Sequence, residues 1–191
     1  MGATAGLEVR LALAGALRLA RGDRTGLACF DASADGFWRS FRAAVLGYPL
    51  YLVLLLMRVG EAEWDRAGAV RIVTVETIDY VINWTAFALA MVSMARWLGC
   101  ERRYFAFMTA YNWCQLPEMA LFALLALEMQ SGLLPPRVSQ FVQLAAAVAV
   151  LVYEWYIARV ALETTPPGAA SVVLLNLVLG LLVSQVAEFL Y

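Results

Sequence analysis

The chain has 191 residues, a net charge of −1 at pH 7, 63% hydrophobic residues and a mean hydropathy of +0.72. Soluble domains contain about 45–50% apolar residues, so this composition excludes an ordinary water-soluble protein, and the near-neutral charge argues against nucleic-acid binding. Histidine is absent, which excludes imidazole bases, Ser-His triads and histidine metal ligands within the chain.

Residues 1–36 are predicted to form a cytoplasmic, interfacial segment with an amphipathic helix. Arginines recur on one helical face of residues 7–21, which suits a helix lying on anionic lipid. Ser33 or Asp35 can then cap a second helix that leads into the first span. The residues predicted to lie at the membrane surface are Arg10, Arg18, Arg21, Trp38, Arg39 and Arg42.

Five long apolar runs follow and are predicted to be transmembrane helices. A helix needs about 20 apolar residues to cross ~30 Å of hydrocarbon, and the first run reaches this length only if residues 38–42 join it. The runs are residues 41–57, 78–98, 104–127, 138–160 and 170–190. The predicted fold is an all-α, polytopic membrane bundle of five transmembrane helices in residues 37–191, preceded by the interfacial amphipathic helix.

The distribution of arginine predicts the orientation. Ten of the 14 basic residues lie in segments on the side of the N-terminus, and four lie on the opposite side. The positive-inside rule therefore places the N-terminus in the cytoplasm and, after five spans, the C-terminus outside. All basic residues are arginine, which is typical of a GC-rich bacterial genome. We therefore expect a bacterial inner (cytoplasmic) membrane.

Polar residues inside the spans are the candidates for chemistry, because an ionisable side chain there is costly. Glu118 lies near the midplane of span three, whereas Glu154 lies near the cytoplasmic end of span four. This difference in depth argues against a catalytic carboxylate pair. Glu118 is either a structural acid, hydrogen-bonded to a neighbouring helix, or part of a proton or cation pathway. The candidate intramembrane polar site comprises Asn112, Gln115, Glu118, Glu154 and Asn176.

A second polar cluster is predicted near the outer ends of spans two and five. Its residues are Asp79, Asn83, Gln185 and Glu188. Small residues on the same two spans, Gly180 among them, predict faces for close helix contact. We expect both the polar cluster and the small-residue faces to serve mainly in holding neighbouring helices together.

The sequence contains no pattern for a cofactor or metal. Three cysteines without CxxC spacing indicate neither a disulfide framework nor a zinc site. Glycine-rich phosphate loops and the HExxH and GxSxG motifs are missing as well. We therefore expect no cofactor and favour a non-enzymatic protein, with a lipid-modifying enzyme as a third alternative.

Three segments resemble bacterial relatives of the Yip (Ypt-interacting protein) family. They are residues 30–41, residues 111–118 (Tyr-Asn-Trp-Cys-Gln-Leu-Pro-Glu) and residues 153–159 (Tyr-Glu-Trp-Tyr-Ile-Ala-Arg). The predicted layout over residues 35–191 is also similar to that family. The Asp-Leu-x-Gly-Pro motif of eukaryotic members is missing, so their role in membrane trafficking is not implied. The resemblance implies a compact five-helix membrane domain that binds partners in the bilayer.

The sequence favours a scaffold or accessory subunit of a membrane assembly, because the extramembrane parts are small and apolar helix faces suit partners in the bilayer. The expected partners are the lipid bilayer and other membrane proteins or a second copy. Four tryptophans are expected to anchor outward surfaces: Trp38, Trp97, Trp113 and Trp155. The alternative is a small permease or a proton or cation pathway that uses Glu118 and Glu154. The odd number of spans and the lack of a repeat disfavour that alternative.

Overall fold

The computed structural model describes the backbone of residues 2–190 and the side chains of residues 6–190. Its helices are α1 (Gly2–Ala20), α2 (Ala34–Ser40), α3 (Arg42–Arg58), α4 (Glu61–Ala67), α5 (Ala69–Trp97), α6 (Tyr104–Ser131), α7 (Pro136–Ala161) and α8 (Pro166–Phe189). Two short 3₁₀ helices lie at Arg24–Cys29 and Glu101–Arg103, and residues 2–190 contain no strand. The all-α prediction is confirmed. Met1 and Tyr191, the chain ends in the predicted orientation, lie outside the described residues.

Within the part of the chain that the structure describes, four helical segments are long and apolar enough to cross a membrane. They are Ala34–Arg58, which joins α2 to α3, and Ala69–Trp97, Pro136–Ala161 and Pro166–Phe189. The fifth predicted span corresponds to α6, which has 28 residues but is not one of these four. Its polar residues lower its hydropathy, which is why length and composition alone do not single it out.

The long helices run between two ends of the bundle. The near end holds the starts of α2, α6 and α8 and the ends of α5 and α7. The far end holds the opposite termini. At the near end the Phe37 ring lies 5.7 Å from the rings of Tyr104 and Phe105. At the far end Arg58 of α3 forms an ion pair with Glu188 of α8.

The central helix is α6, which contacts α1, α2, α3, α5 and α7. Eleven of its 28 residues are buried, and Phe107 and Met108 are fully enclosed. Other helices therefore surround much of α6, and its polar side chains need not face hydrocarbon. Trp113 on this helix is only 1% exposed, so the expectation that its ring anchors an outward surface is wrong.

α1 packs against α6 and α7 through a face of mostly small residues. Its buried positions follow the helical repeat: Ala12, Gly15, Ala16 and Leu19. The Tyr153 hydroxyl of α7 donates a hydrogen bond of 2.8 Å to the Ala16 carbonyl. The N-terminal helix therefore contributes directly to the protein core.

Five of the six residues predicted to lie at the membrane surface are exposed, and Arg39 is half-buried. The exposed residues are Arg10, Arg18, Arg21, Trp38 and Arg42. Arg39 and Arg42 each form an ion pair of 3.0 Å with Glu8, and Arg39 also pairs with Asp31. These ion pairs connect α1 to the start of the first membrane-spanning segment.

Of the two predicted caps of α2, the structure uses Ser33. Its hydroxyl accepts a hydrogen bond of 3.0 Å from the Gly36 amide. Asp31 in turn accepts a hydrogen bond of 2.9 Å from the Ser33 amide. Hydrogen bonds from Ser33, followed by the interaction with Arg39, hold the pKa of Asp31 below its usual value.

The helix that corresponds to the second predicted span begins earlier in the structure than the sequence predicted. α5 starts at Ala69, nine residues before position 78, and includes the buried acid Glu76. Arg58 Nη2 lies 2.6 Å from Glu76 Oε2, and the Tyr51 hydroxyl donates to the same oxygen at 2.5 Å. In the sequence, the charge of Glu76 kept this segment out of the predicted span. In the structure, Arg58 and Tyr51 of α3 compensate that charge.

Candidate functional site

A buried group of polar side chains lies where α6, α7 and α8 meet. Glu154 Oε1 accepts hydrogen bonds from Asn176 Nδ2 at 2.9 Å and from the Tyr111 hydroxyl at 3.3 Å. Gln115 also interacts with this carboxyl group. We call Tyr111, Gln115, Glu118, Glu154 and Asn176 the carboxyl cluster.

Glu118 is the second acid of the carboxyl cluster and is only 6% exposed. Its Oε1 atom is buried and accepts no hydrogen bond from any described residue. The carboxyl groups of Glu118 and Glu154 interact electrostatically, and both interact with Tyr111. Their depths differ by roughly 10 Å by helix rise, as the sequence predicted, yet the two acids still interact.

A cavity of about 200 Å³ adjoins the carboxyl cluster between α5, α6 and α8. Its lining residues are Asn83, Trp84, Phe87, Tyr111, Asn112, Gln115 and Asn176. The four side-chain amides in this lining supply both hydrogen-bond donors and acceptors. The cavity is large enough for several water molecules or a small polar solute.

The structure brings four of the five predicted intramembrane polar residues into the carboxyl cluster, and Asn112 is the exception. Asn112 lines the same cavity, but its Nδ2 donates a hydrogen bond of 2.8 Å to Ser40 Oγ. Ser40 Oγ in turn donates to the Phe37 carbonyl at 2.6 Å. Asn112 therefore connects α6 to α2 and is not a hydrogen-bond partner of Glu154.

The predicted outer polar cluster is only partly assembled. Asn83 Nδ2 donates a hydrogen bond of 3.0 Å to Asp79 Oδ2 on the same helix. Glu188 forms an ion pair of 3.5 Å with Arg58, while its charge also acts on Asp79. Gln185 is exposed and makes no hydrogen bond to any described residue. The structure thus joins three of the four residues through electrostatics and leaves Gln185 apart.

Sequence reasoning predicted Glu188 as a polar site residue but missed the charged and tyrosine side chains that surround it at the far end. Arg58 connects Glu76 of α5 to Glu188 of α8, and Tyr51 holds the Glu76 carboxylate. We call Tyr51, Arg58, Glu76 and Glu188 the far-end group. One available signal was the pair Arg58 and Glu76, two opposite charges flanking the same short link between apolar runs.

Polar side chains therefore occur at successive depths through the bundle. The carboxyl cluster extends from the near half to the middle of the bundle and adjoins the cavity, whose wall includes Asn83. Asn83 bonds Asp79, and Asp79 lies within electrostatic range of Glu76 in the far-end group. No group of three metal-ligating side chains occurs among the described residues. Carboxyl and amide groups in such a series suit protons or small cations.

Comparison of the chain with protein-family models, curated proteins and solved structures finds no match. What this chain does must be inferred from its own residues and their geometry.

Proposed function

We propose that this chain is an integral membrane protein that conducts protons or small cations through a polar interior. Glu118 carries this inference. A buried acid in a membrane helix costs free energy that structural acids recover through hydrogen bonds or ion pairs. Glu118 Oε1 has no hydrogen-bond partner among the described residues and lies close to a second carboxyl group. Such an acid is suited to binding and releasing a proton or cation.

The series of polar side chains supports a route rather than an isolated binding site. Water in the cavity would connect Asn83 to Tyr111 and Asn176, which donate hydrogen bonds to Glu154. Asp79 would continue the route toward the far-end group. Arg58 and its carboxylate partners then lie at the far-end exit. Of the two functions that the sequence suggested, the geometry favours the pathway over the scaffold, because polar contacts concentrate inside the bundle.

We further propose that α6 is a fifth membrane span. With 28 residues it has a length of about 42 Å, enough to cross the hydrocarbon core. The near end would face the cytoplasm of a bacterial inner membrane, because it carries ten of the 14 arginines. The exposed Arg10 and Arg18 of α1 would then contact anionic headgroups at that surface.

A scaffold remains the second candidate, and Gly180 on α8 is the observation that favours it. A Cβ atom at Gly180 would meet no atom within 4 Å, so this face is open to a helix of another protein. Gly180→Leu should therefore leave the monomer folded and remove only association with a partner or a second copy. Co-purification of wild type and variant from native membranes in mild detergent measures this association.

Reconstitution into liposomes tests the pathway. A pH-sensitive dye inside the vesicles should report proton entry driven by a membrane potential, or sodium and potassium dyes should report those ions. Glu118→Gln and Glu154→Gln should each abolish the flux, because neither amide can ionise. Glu128→Gln is the matched control, since Glu128 lies on the same helix and contacts Ser139 at 2.6 Å, away from the cavity.

Two results would refute the pathway. One is wild-type vesicles that admit protons, sodium and potassium no faster than empty vesicles. The other is a flux that falls by the same factor in the Glu118→Gln and Glu128→Gln variants. A folded-state check by size-exclusion chromatography accompanies each variant, so that loss of flux is not confused with loss of protein.

A further inference from the structure

A groove lies on the outward surface between α5 and α8, separate from the carboxyl cluster. Its volume is about 330 Å³, at the lower end of the roughly 300–1,000 Å³ range of ligand pockets. It is lined by Val75, Ile78, Asp79, Ile82, Leu182, Val183, Val186, Ala187 and Leu190. Eight of these nine residues are apolar, and the groove extends from the far end of α8 toward the middle of the bundle.

Among the described residues, Asp79 is the only polar residue that lines this groove. It is 6% exposed, and its Oδ1 atom is buried and accepts no hydrogen bond from the described residues. Asn83 satisfies only the other oxygen, Oδ2, at 3.0 Å. A hydrocarbon chain alone would fill the apolar walls but would leave Oδ1 unsatisfied in a medium without water.

The charges around Asp79 indicate which kind of group would bind its Oδ1 atom. Two further carboxylates, Glu76 and Glu188, lie within electrostatic range of Asp79, as does one guanidinium, that of Arg58. Acidic groups therefore outnumber basic groups among the charges that act on Asp79. A positively charged donor would both bond Oδ1 and reduce this repulsion, whereas an anionic headgroup would increase it.

We propose that the α5–α8 groove binds a single-chain cationic amphiphile, with its ammonium group on Asp79 and its alkyl chain along Ile82 and Leu182. Ala187 and Leu190 line the groove near the far end of α8, and the headgroup would enter from that end. The apolar walls bind the chain by shape, and Asp79 selects the charge of the headgroup. The site shares Asp79 with the proposed ion route, but binding of an amphiphile can be measured without any ion flux through the carboxyl cluster.

Binding of radiolabelled dodecylamine tests this site. The full chain is placed in nanodiscs of zwitterionic lipid, and partition into empty nanodiscs is subtracted. We expect saturable binding of one probe per chain, displaced by unlabelled dodecylamine but not by dodecanoate. Asp79→Asn should raise the dissociation constant about tenfold or more, because the charge-assisted hydrogen bond is lost.

A pair of matched variants separates the groove from nonspecific apolar surface. Val186→Trp fills the groove and should abolish saturable binding, whereas Val152→Trp on α7 should leave it intact. The wild-type side chains are similarly exposed, at 62% and 57%, so both variants should fold. Binding that is unsaturable, unchanged in Asp79→Asn, or equally displaced by dodecanoate would overturn the assignment. So would protection of the groove by a copurifying protein helix instead of an amphiphile.

Discussion

Two buried acids on neighbouring helices have opposite surroundings. Glu76 is 1% exposed and is held by Arg58 at 2.6 Å and by Tyr51 at 2.5 Å. Glu118 is almost as buried, but its Oε1 atom has no hydrogen-bond partner among the described residues. Glu76 therefore stabilises the contact between α3 and α5, whereas Glu118 contributes little to stability.

Replacing each acid by leucine should separate these two roles. Glu118→Leu should leave the free energy of unfolding unchanged or raise it, because an unsatisfied polar group is replaced by an apolar one. Glu76→Leu should lower the free energy of unfolding by about 1–2 kcal/mol; the loss is moderated because Arg58 is half-exposed and stays hydrated. Unfolding in mixed micelles with increasing SDS measures both values.

A large destabilisation by Glu118→Leu would mean that Glu118 has a structural hydrogen bond after all. The inference that this acid serves ion conduction would then lose its basis.

Asp31 predicts a pH dependence outside the membrane-spanning segments. Hydrogen bonds from Ser33 and the interaction with Arg39 lower its pKa from the usual 3.8. The lowered pKa stabilises the folded state at neutral pH, and this stabilisation disappears as the pH falls from about 3.8 through the folded-state pKa. Asp31→Asn should therefore reduce the Tm slightly at pH 7, and the difference from wild type should shrink as the pH falls below about 3.8. A difference that is constant with pH would contradict this.

The docking of α1 depends on close approach between helices. A Cβ atom at Gly15 would lie 2.7 Å from Cys29 Cβ and 2.8 Å from the Gly26 carbonyl oxygen. Glycine therefore lets α1 contact the following 3₁₀ helix without steric overlap. The ion pairs of Glu8 with Arg39 and Arg42 connect the other part of α1 to the first span.

Gly15→Ala should displace α1 and lower the free energy of unfolding by about 1–3 kcal/mol through overpacking. Gly6→Ala is its control on the same helix, because a Cβ at Gly6 meets no atom within 4 Å. Limited proteolysis should cut the Gly15→Ala variant faster than wild type after the arginines of α1. Equal cleavage of both variants and wild type would show that α1 is not held in this position.

The number of spans determines on which side of the membrane the two chain ends lie. Four apolar segments are established by length and composition, and α6 is the fifth candidate. An even number would place both ends on the same side, and an odd number places them on opposite sides. The enclosure of α6 by other long helices favours the odd number.

Fusion of a topology reporter to each end should therefore give opposite results. A fusion before Gly2 should be active only in the cytoplasm, and one after the C-terminus only outside, in accord with the ten-to-four arginine bias. A third reporter inserted at Gly132, between α6 and α7, should report the outer side. Activity of both terminal fusions in the cytoplasm would require α6 to lie within the bundle without crossing the membrane.

The apolar runs were sufficient to predict the helical fold, but not the partners of buried polar groups. Helix rise gives the depth of Asn112 and Glu154 along their helices. It does not tell which neighbour each side chain faces, and Asn112 turns to Ser40. Glu76 was missed for a related reason, because its compensation comes from Arg58 on another helix.

The hydrogen bond between Tyr153 and Ala16 joins residues 137 positions apart in the chain. At about 5–20 residues per second, the ribosome would add Tyr153 roughly 7–27 s after Ala16. During most of that interval the mostly small-residue face of α1 has neither α6 nor α7 to cover it, because α6 begins only at Tyr104 and α7 only at Pro136. Nascent α1 must therefore wait on the lipid surface or with the insertion machinery, and the first helix to be synthesised is among the last to reach its final position.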